Sequence, residues 1–441
     1  MTTRTDRSYA ALLRLPSLGR VLASMIVSRI AQSMVGVAIV LFTLREYGSP
    51  ALAGIVTLAY VLPGLLVSPI AGALLDRHGR IRLVILDYCV AAAALGLIGV
   101  LSLAGALPPA LLVAIAAVAS LTSILSVTGL RSLFPILVPK PLWERVNAID
   151  SNGYVVATIL GPPIAAALVA FIGGAVTMLV IAALLLVATI PLSGVRDPGD
   201  PNAGSGPLLG DAWAGLVYVW RNPILRGLAV AISLVNLAGG VGSIGIPLLV
   251  LDQLGLGETA VGLAFAISGV TGMVSAIVFG RFDTRNREWP MLVFPILLVA
   301  PTIALLLPIA AAGPAGTSGA IDPLVGLALI VLSQAIFGLL NGPLDVALFT
   351  VRQRRTDPAI MGRAFAVSMA ANFLGYPIGS ALAGSLASMS LVLMIILGVV
   401  ACLLAALGAA VLIPARVPSP DVRTTAVNPA RPHPEPGRAE S

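Results

Sequence analysis

The sequence predicts an all-α membrane protein with 12 transmembrane helices in two pseudo-symmetric six-helix bundles. Three observations carry this reading. Charged residues make up 10% of the chain and hydrophobic ones 58%, whereas a soluble globular protein carries about 25% charged residues. Apolar runs of the roughly 20 residues needed to cross a bilayer recur along the chain. Finally, 24 of the 26 basic residues fall in alternate loops and the two tails. Lipid offers no hydrogen-bond partners, so each crossing must satisfy its own backbone as a helix.

In chain order, a polar, basic tail (1–19) shows no cleavable leader and precedes the first bundle, 20–194. Its spans are 20–44, 51–75, 83–104, 109–130, 147–171 and 174–194, punctuated by turn residues such as Gly48-Ser49-Pro50 and Gly173-Gly174. A linker over 195–222 opens with Asp197-Pro198-Gly199. It closes with a helical pattern in which Leu209, Trp213, Leu216 and Trp220 share one face. That pattern suits an amphipathic helix lying in the membrane interface, or a plain connector. The second bundle, 223–415, has spans 224–250, 259–280, 290–312, 323–350, 364–387 and 390–414. The tail 416–441 is rich in Pro and polar residues and is expected to be disordered.

The basic residues set the orientation. Cytoplasmic loops collect Lys and Arg, which puts both termini in the cytoplasm and makes the span count even. Arg45 stands alone on the opposite side, and Arg29 lies inside a span. The net charge of +7 is spread over loops with no long basic run, which argues against a nucleic-acid partner. The partners expected are the lipid bilayer and a small-molecule substrate, with the chain acting as a monomer. Cys89 and Cys402 both sit in apolar spans, and His78 and His433 are the only histidines, so neither a disulfide framework nor a metal site is expected. An intramembrane enzyme would need such a ligand cluster or a nucleophile with a base. A single-chain ATP-driven pump would need a phosphate-loop lysine, and the sole Lys140 is flanked by Pro139 and Pro141. No cofactor is expected.

The most specific stretch is the charged turn Gly72 to Arg80 between spans 2 and 3, with Gly72, Asp76, Arg77, Gly79 and Arg80 at fixed spacing. A weaker copy, Gly280 to Arg285, follows span 8. Gly161-Pro162 in span 5 is likewise answered by Gly375 and Pro377 in span 11. Parallel repeats of this kind suit a transporter with a site at their interface. The turn, the spans and their six-six division resemble the major facilitator superfamily over nearly the whole chain. Ser28-Arg29, Leu133-Phe134-Pro135, Val146-Asn147-Ala148 and Leu160-Gly161-Pro162 are similar to its macrolide-efflux and enterobactin-exporter branch. Two departures stand out. Ala31-Gln32 replaces a Gly-Asp pair frequent after the span 1 arginine, and Ala157, Ala165 and Ala166 replace glycines of the antiporter signature.

The resemblance implies a secondary-active exporter in the cell membrane, working by alternating access and driven by a proton gradient. The cargo would be a drug, a siderophore or another small amphipathic molecule. An importer or facilitator of a small polar solute is the nearer alternative, and a lipid-modifying enzyme the more distant one. The Gly72–Arg80 turn is then a gate, or else simply a positive-inside turn. An intramembrane arginine is expensive and normally faces a cavity or a partner, so Arg29 either lines the substrate cavity or holds a carboxylate. Gln32 and Ser33 extend its stripe, and Asn236, Gln334, Asn341, Asn372 and Tyr376 are further cavity candidates. Asp150, Asp345 and Asp87 lie near Arg145, Arg352 and Arg82 in sequence and serve as ion-pair latches or as proton carriers.

Overall fold

The computed structural model describes residues 12, 14–139, 142–195, 208–281, 287–356 and 361–413, and these are helical along nearly their whole length. Helix α1 (Leu18–Tyr47) ends at Gly48, whose φ of 59° turns the chain into Ser49. The Ser49 hydroxyl accepts from the Leu52 N–H at 3.2 Å, and Pro50 takes the first helical position of α2 (Pro50–His78). A hydroxyl cap followed by proline satisfies and pre-organises a helix start.

Gly79 alone separates α2 from α3 (Arg80–Leu103). Its φ is 90°, a value that strains any residue with a Cβ. Its N–H closes α2 on the Leu75 carbonyl at 3.1 Å, and its carbonyl opens α3 by accepting from the Leu83 N–H at 3.2 Å. The expected hairpin is therefore a one-residue corner. The weaker copy differs, because Gly280 has an ordinary helical φ of −63°. Residues 282–285 of that copy lie outside the described residues.

Helices α4 (Pro109–Leu137) and α5 (Trp143–Ile172) run beyond the apolar runs expected for them, so Arg131 is helical and not in a loop. Helix α6 is Gly174–Leu192. The expected interfacial segment contains α7 (Leu208–Arg221). Trp213, Leu216 and Trp220 are exposed on it, while Val219 is buried with Leu225 and Ala364. Residues 196–207, and the C-terminal tail from 414 onward, lie outside the described residues.

In the second part, α8 (Pro223–Leu248) continues into a π-helical turn at Leu249–Gln253. It is followed by α9 (Glu258–Phe279), α10 (Glu288–Ala304), the short α11 (Leu307–Ala311) and α12 (Pro323–Arg355). Pro308 has no N–H for the Ala304 carbonyl, which ends the ladder between α10 and α11.

One expected span is corrected. Residues 364–387 are not one helix: α13 (Met361–Phe373) and α14 (Gly375–Ala387) meet at Leu374. Pro377 cannot donate to the Phe373 carbonyl. In addition, α14 lies so close to α8 that a Cβ on Gly375 or Gly379 would collide with the Ser233 or Leu237 carbonyl. The last helix, α15 (Leu391–Leu412), is capped by the Ser390 hydroxyl. Among the described residues, 11 segments are long and apolar enough to cross a membrane, and the α13–α14 pair is the expected span missing from them.

In the first part α1 packs on α5 and α6, α2 on α4, and α3 on α4 and α6. In the second, α8 packs on α14 and α15, α9 and α10 on α12, and α10 on α15. The two groups meet chiefly along two seams, α2 against α14 and α5 against α9. A Cβ on Gly54 would meet the Ser380 carbonyl, and one on Gly384 the Pro50 carbonyl. Across the other seam, a Cβ on Gly262 would stand 2.9 Å from Ala166 Cβ and Pro163 Cα. Small residues are what allow membrane helices to approach this closely. These contacts lie toward the face on which α1 ends and α2 and α9 begin. Outward-facing positions carry exposed Leu66, Phe171, Ile190 and Val411, as helix faces in contact with lipid require.

Candidate functional site

The buried arginine of α1 holds a carboxylate. Arg29 Nη2 donates to Asp150 Oδ1 at 2.5 Å, and its Nη1 donates to the Asp150 backbone carbonyl. From α4, Arg131 Nε donates to the other carboxylate oxygen at 3.0 Å. Asp150 is 7% exposed, Arg29 11% and Arg131 52%. One carboxylate thus clamps α1, α4 and α5. Charge-assisted bonds to both oxygens offset much of the desolvation that burial imposes on it. The Arg29 guanidinium lies 5.9 Å from the Tyr154 ring centroid.

Several other cavity candidates are also engaged between helices. Gln32 donates to the Ser126 hydroxyl at 2.9 Å, and Ser33 to the Ala157 carbonyl at 2.7 Å. A Cβ on Gly161 would strike Ser33, so Gly161 is what lets α5 cross α1 there. Asn236 donates to the Asn372 backbone carbonyl at 3.1 Å. Tyr376 opens α14 where that helix lies against Gly239 and Gly240 of α8.

The three acids differ in their surroundings. The expected pairings of Asp345 with Arg352 and of Asp87 with Arg82 are not formed. Arg352 is fully buried, with its guanidinium carbon 5.8 Å and 5.1 Å from the Phe349 and Phe365 ring centroids. Its Nη1 donates to Met369 Sδ at 2.9 Å. Its Nη2 donates to the Asn372 carboxamide oxygen at 2.6 Å when that amide is turned to donate to Ser368. Asp87 is 1% exposed, and neither of its carboxylate oxygens has a hydrogen-bond partner among the described residues. The Ser126 and Thr122 side chains are its neighbours, but their hydroxyls donate to backbone carbonyls. Asp345 is exposed to the interior space described next and makes no ion pair among the described residues.

That space is a partly open cavity of about 440 Å³ lined by α5, α8, α9, α10, α12 and α15, a size typical of small-molecule sites. Gln334, Phe337, Asn341 and Asp345 line it; their spacing places them along one face of α12. Tyr154 of α5 and Phe265 of α9 add aromatic surface, and most of the remaining wall is apolar. Of the residues singled out from sequence, Pro162, Gln334, Asn341 and Asp345 are on the wall; Arg29, Gln32, Ser33, Asn236, Asn372 and Tyr376 are not. Arg29, Gln32, Ser33, Asn236 and Asn372 spend polar atoms on neighbouring helices, and Tyr376 lies against Gly239 and Gly240.

A further ion pair joins the two groups of helices. Arg45, at the end of α1, bonds Glu258 at the start of α9, and its Nη1 donates to the Val169 carbonyl of α5 at 3.4 Å. The Glu258 side chain is 6% exposed and that of Arg45 50%. The Gly72–Arg80 turn sits at the opposite end of α2. Its backbone is described, but the side chains of Asp76 and Arg77 lie outside the described residues. No group of three or more potential metal ligands occurs among the described residues.

Sequence reasoning missed Glu258, Arg131 as a partner of Asp150, and the rings of Phe265 and Phe337. A lone outer arginine was the one available pointer to Glu258. The phenylalanines looked like any others in an apolar span.

Comparison with known proteins agrees with this architecture. The family model described as Major Facilitator Superfamily matches residues 21–327 and 246–436. An uncharacterized MFS-type transporter, y4rN, of Sinorhizobium fredii is 34% identical over 91% of this chain and 96% of its own length. The multidrug efflux pump Tap of Mycolicibacterium fortuitum is 27% identical, covering 80% of this chain and 85% of Tap. Macrolide efflux protein A of Streptococcus pyogenes is 22% identical over 81% of this chain and 86% of that protein. The crystal structure of the nucleoside transporter NupG superposes with a TM-score of 0.68 at 12% identity, covering 90% of this chain and 99% of NupG; at that identity the likeness shows the fold. These relatives are transporters and not enzymes, and the chain belongs to the Major Facilitator Superfamily.

Proposed function

We propose that this chain is a secondary-active exporter of small amphipathic molecules, drug-like or siderophore-like, energised by a proton gradient. Twelve spans in two six-helix bundles, with α13 and α14 together making the eleventh, rock about the cavity beside α12. The observation that carries the reading is a largely apolar cavity next to a seam closed at one end by glycine contacts and the Arg45–Glu258 pair. A transporter caught facing one side has that combination. The efflux pumps among the relatives favour export. The distribution of Arg puts the sealed end outside the cell, both termini in the cytoplasm, and the chain in the cell membrane as a multi-pass monomer that needs lipid but no cofactor.

In this reading the Gly72, Asp76, Arg77, Gly79 and Arg80 turn is the inner gate, and the Gly161-Pro162 and Gly375–Pro377 segments set helix approach. Asp150 is a latch, because two arginines already hold its charge. Asp87 and Asp345, which lack a paired cation among the described residues, are the better proton carriers. Import of a polar solute is the second reading, prompted by the NupG-like fold.

Cells overproducing the protein are expected to accumulate less of a fluorescent dye or drug, with a protonophore abolishing the difference. Greater accumulation under the same conditions overturns export in favour of import.

A further inference from the structure

From the chemistry of the cavity wall we infer that the site takes a lipophilic organic monocation. The inference rests on reading this cavity as the transport site. Among the described residues, Asp345 is the one acidic residue on the wall, and no Arg, Lys or His shares it. The nearest cations are already engaged elsewhere. Arg29 lies over the Tyr154 ring and is bonded to Asp150, which it shares with Arg131. Arg352, two turns further along α12, is enclosed by Phe349, Phe365 and Met369. A carboxylate facing an apolar space with no cation of its own is complementary to a ligand that brings one.

The rest of the wall sets the ligand's other properties. Tyr154, Phe265 and Phe337 offer ring faces, which attract a desolvated cation as well as apolar surface. The hydroxyls of Thr158, Thr302 and Ser333 are on the wall, but each donates to a backbone carbonyl, at 2.9, 2.7 and 2.7 Å. That leaves the Gln334 and Asn341 carboxamides, with the Ser268 and Tyr154 hydroxyls, to serve a ligand. A sugar or nucleoside buried here would leave many of its own donors and acceptors unpaired, which is heavily penalised. One carboxylate also balances one positive charge, so a polycation is a poor fit.

Tetraphenylphosphonium and tetraphenylborate share size and shape but differ in the sign of their charge, and they test this directly. Each is measured separately by equilibrium dialysis against the purified full-length protein in detergent, with empty micelles as background. Saturable binding of tetraphenylphosphonium and none of tetraphenylborate is expected. Asp345→Asn should weaken the cation at least tenfold, while Asp345→Glu keeps most of the affinity. Equal binding of the two ions by the unaltered protein overturns the inference and needs no variant to fold. Unchanged cation affinity in a monodisperse Asp345→Asn protein overturns it as well. The outcome is separable from that for export: efflux of neutral or anionic dyes with no cation preference sinks this site and leaves export standing. Binding of the cation with no efflux of any dye does the reverse.

Discussion

Asp150→Asn is the sharpest test of the clamp on α1, α4 and α5. The substitution keeps the shape of the side chain but removes the charge that Arg29 and Arg131 share. Arg131 is 52% exposed and can turn to solvent, so its loss contributes at most about 1 kcal/mol. Arg29, at 11% exposed, cannot escape in the same way, and breaking a buried pair from one side costs roughly 3–5 kcal/mol. The expected outcome is a clear fall in thermal stability, read as the temperature at which the detergent-solubilised protein loses its monodisperse size-exclusion peak. The double variant Arg29→Gln with Asp150→Asn removes the stranded charge and should recover part of the loss, a positive coupling in a double-mutant cycle. An Asp150→Asn protein as stable as the parent, or a double variant no better than the single, would refute the clamp. Loss of transport at unchanged stability would instead return Asp150 to the role of proton carrier.

Two further outcomes follow from the gates. Glu258→Gln removes the charge that Arg45 faces across α1 and α9, which should shift the two-state balance by about 1 kcal/mol, roughly fivefold in population. Backbone hydrogen exchange over residues 254–264 should rise by a similar factor, and unchanged exchange would leave the pair without a sealing role. Asp76→Asn is expected to impair transport while the protein remains inserted and abundant; normal transport would make the Gly72–Arg80 turn a topological feature only.

Much of the fold was legible because its causes are local. A bilayer demands about 20 apolar residues per crossing whatever the neighbours are, so most spans lie close to the helices, although α4 runs on to Leu137 and the expected span 364–387 is two helices. Ser49-Pro50 and Gly79 mark a helix start and a corner through their own backbone chemistry. The exposed stripe of Trp213, Leu216 and Trp220 on α7 was visible as a helical repeat. In the expected span 364–387, Gly375 and Pro377 stand out in the sequence only as the counterpart of Gly161-Pro162. The missing Pro377 N–H and the backbone of α8 together interrupt the helix there.

The site is a different matter. Sequence alone determined that a buried arginine and a few buried acids exist, and that each needs an explanation, because charge in lipid is costly. It also placed Gln334, Asn341 and Asp345 on one span. Only the tertiary structure decided which arginine meets which acid. Arg29 and Asp150 are 121 residues apart, and their meeting depends on how α1 and α5 are rotated and tilted against each other, which hydropathy does not encode. The same helix rotations bury Arg352 among aromatic rings and leave the Asp345 carboxylate facing the cavity.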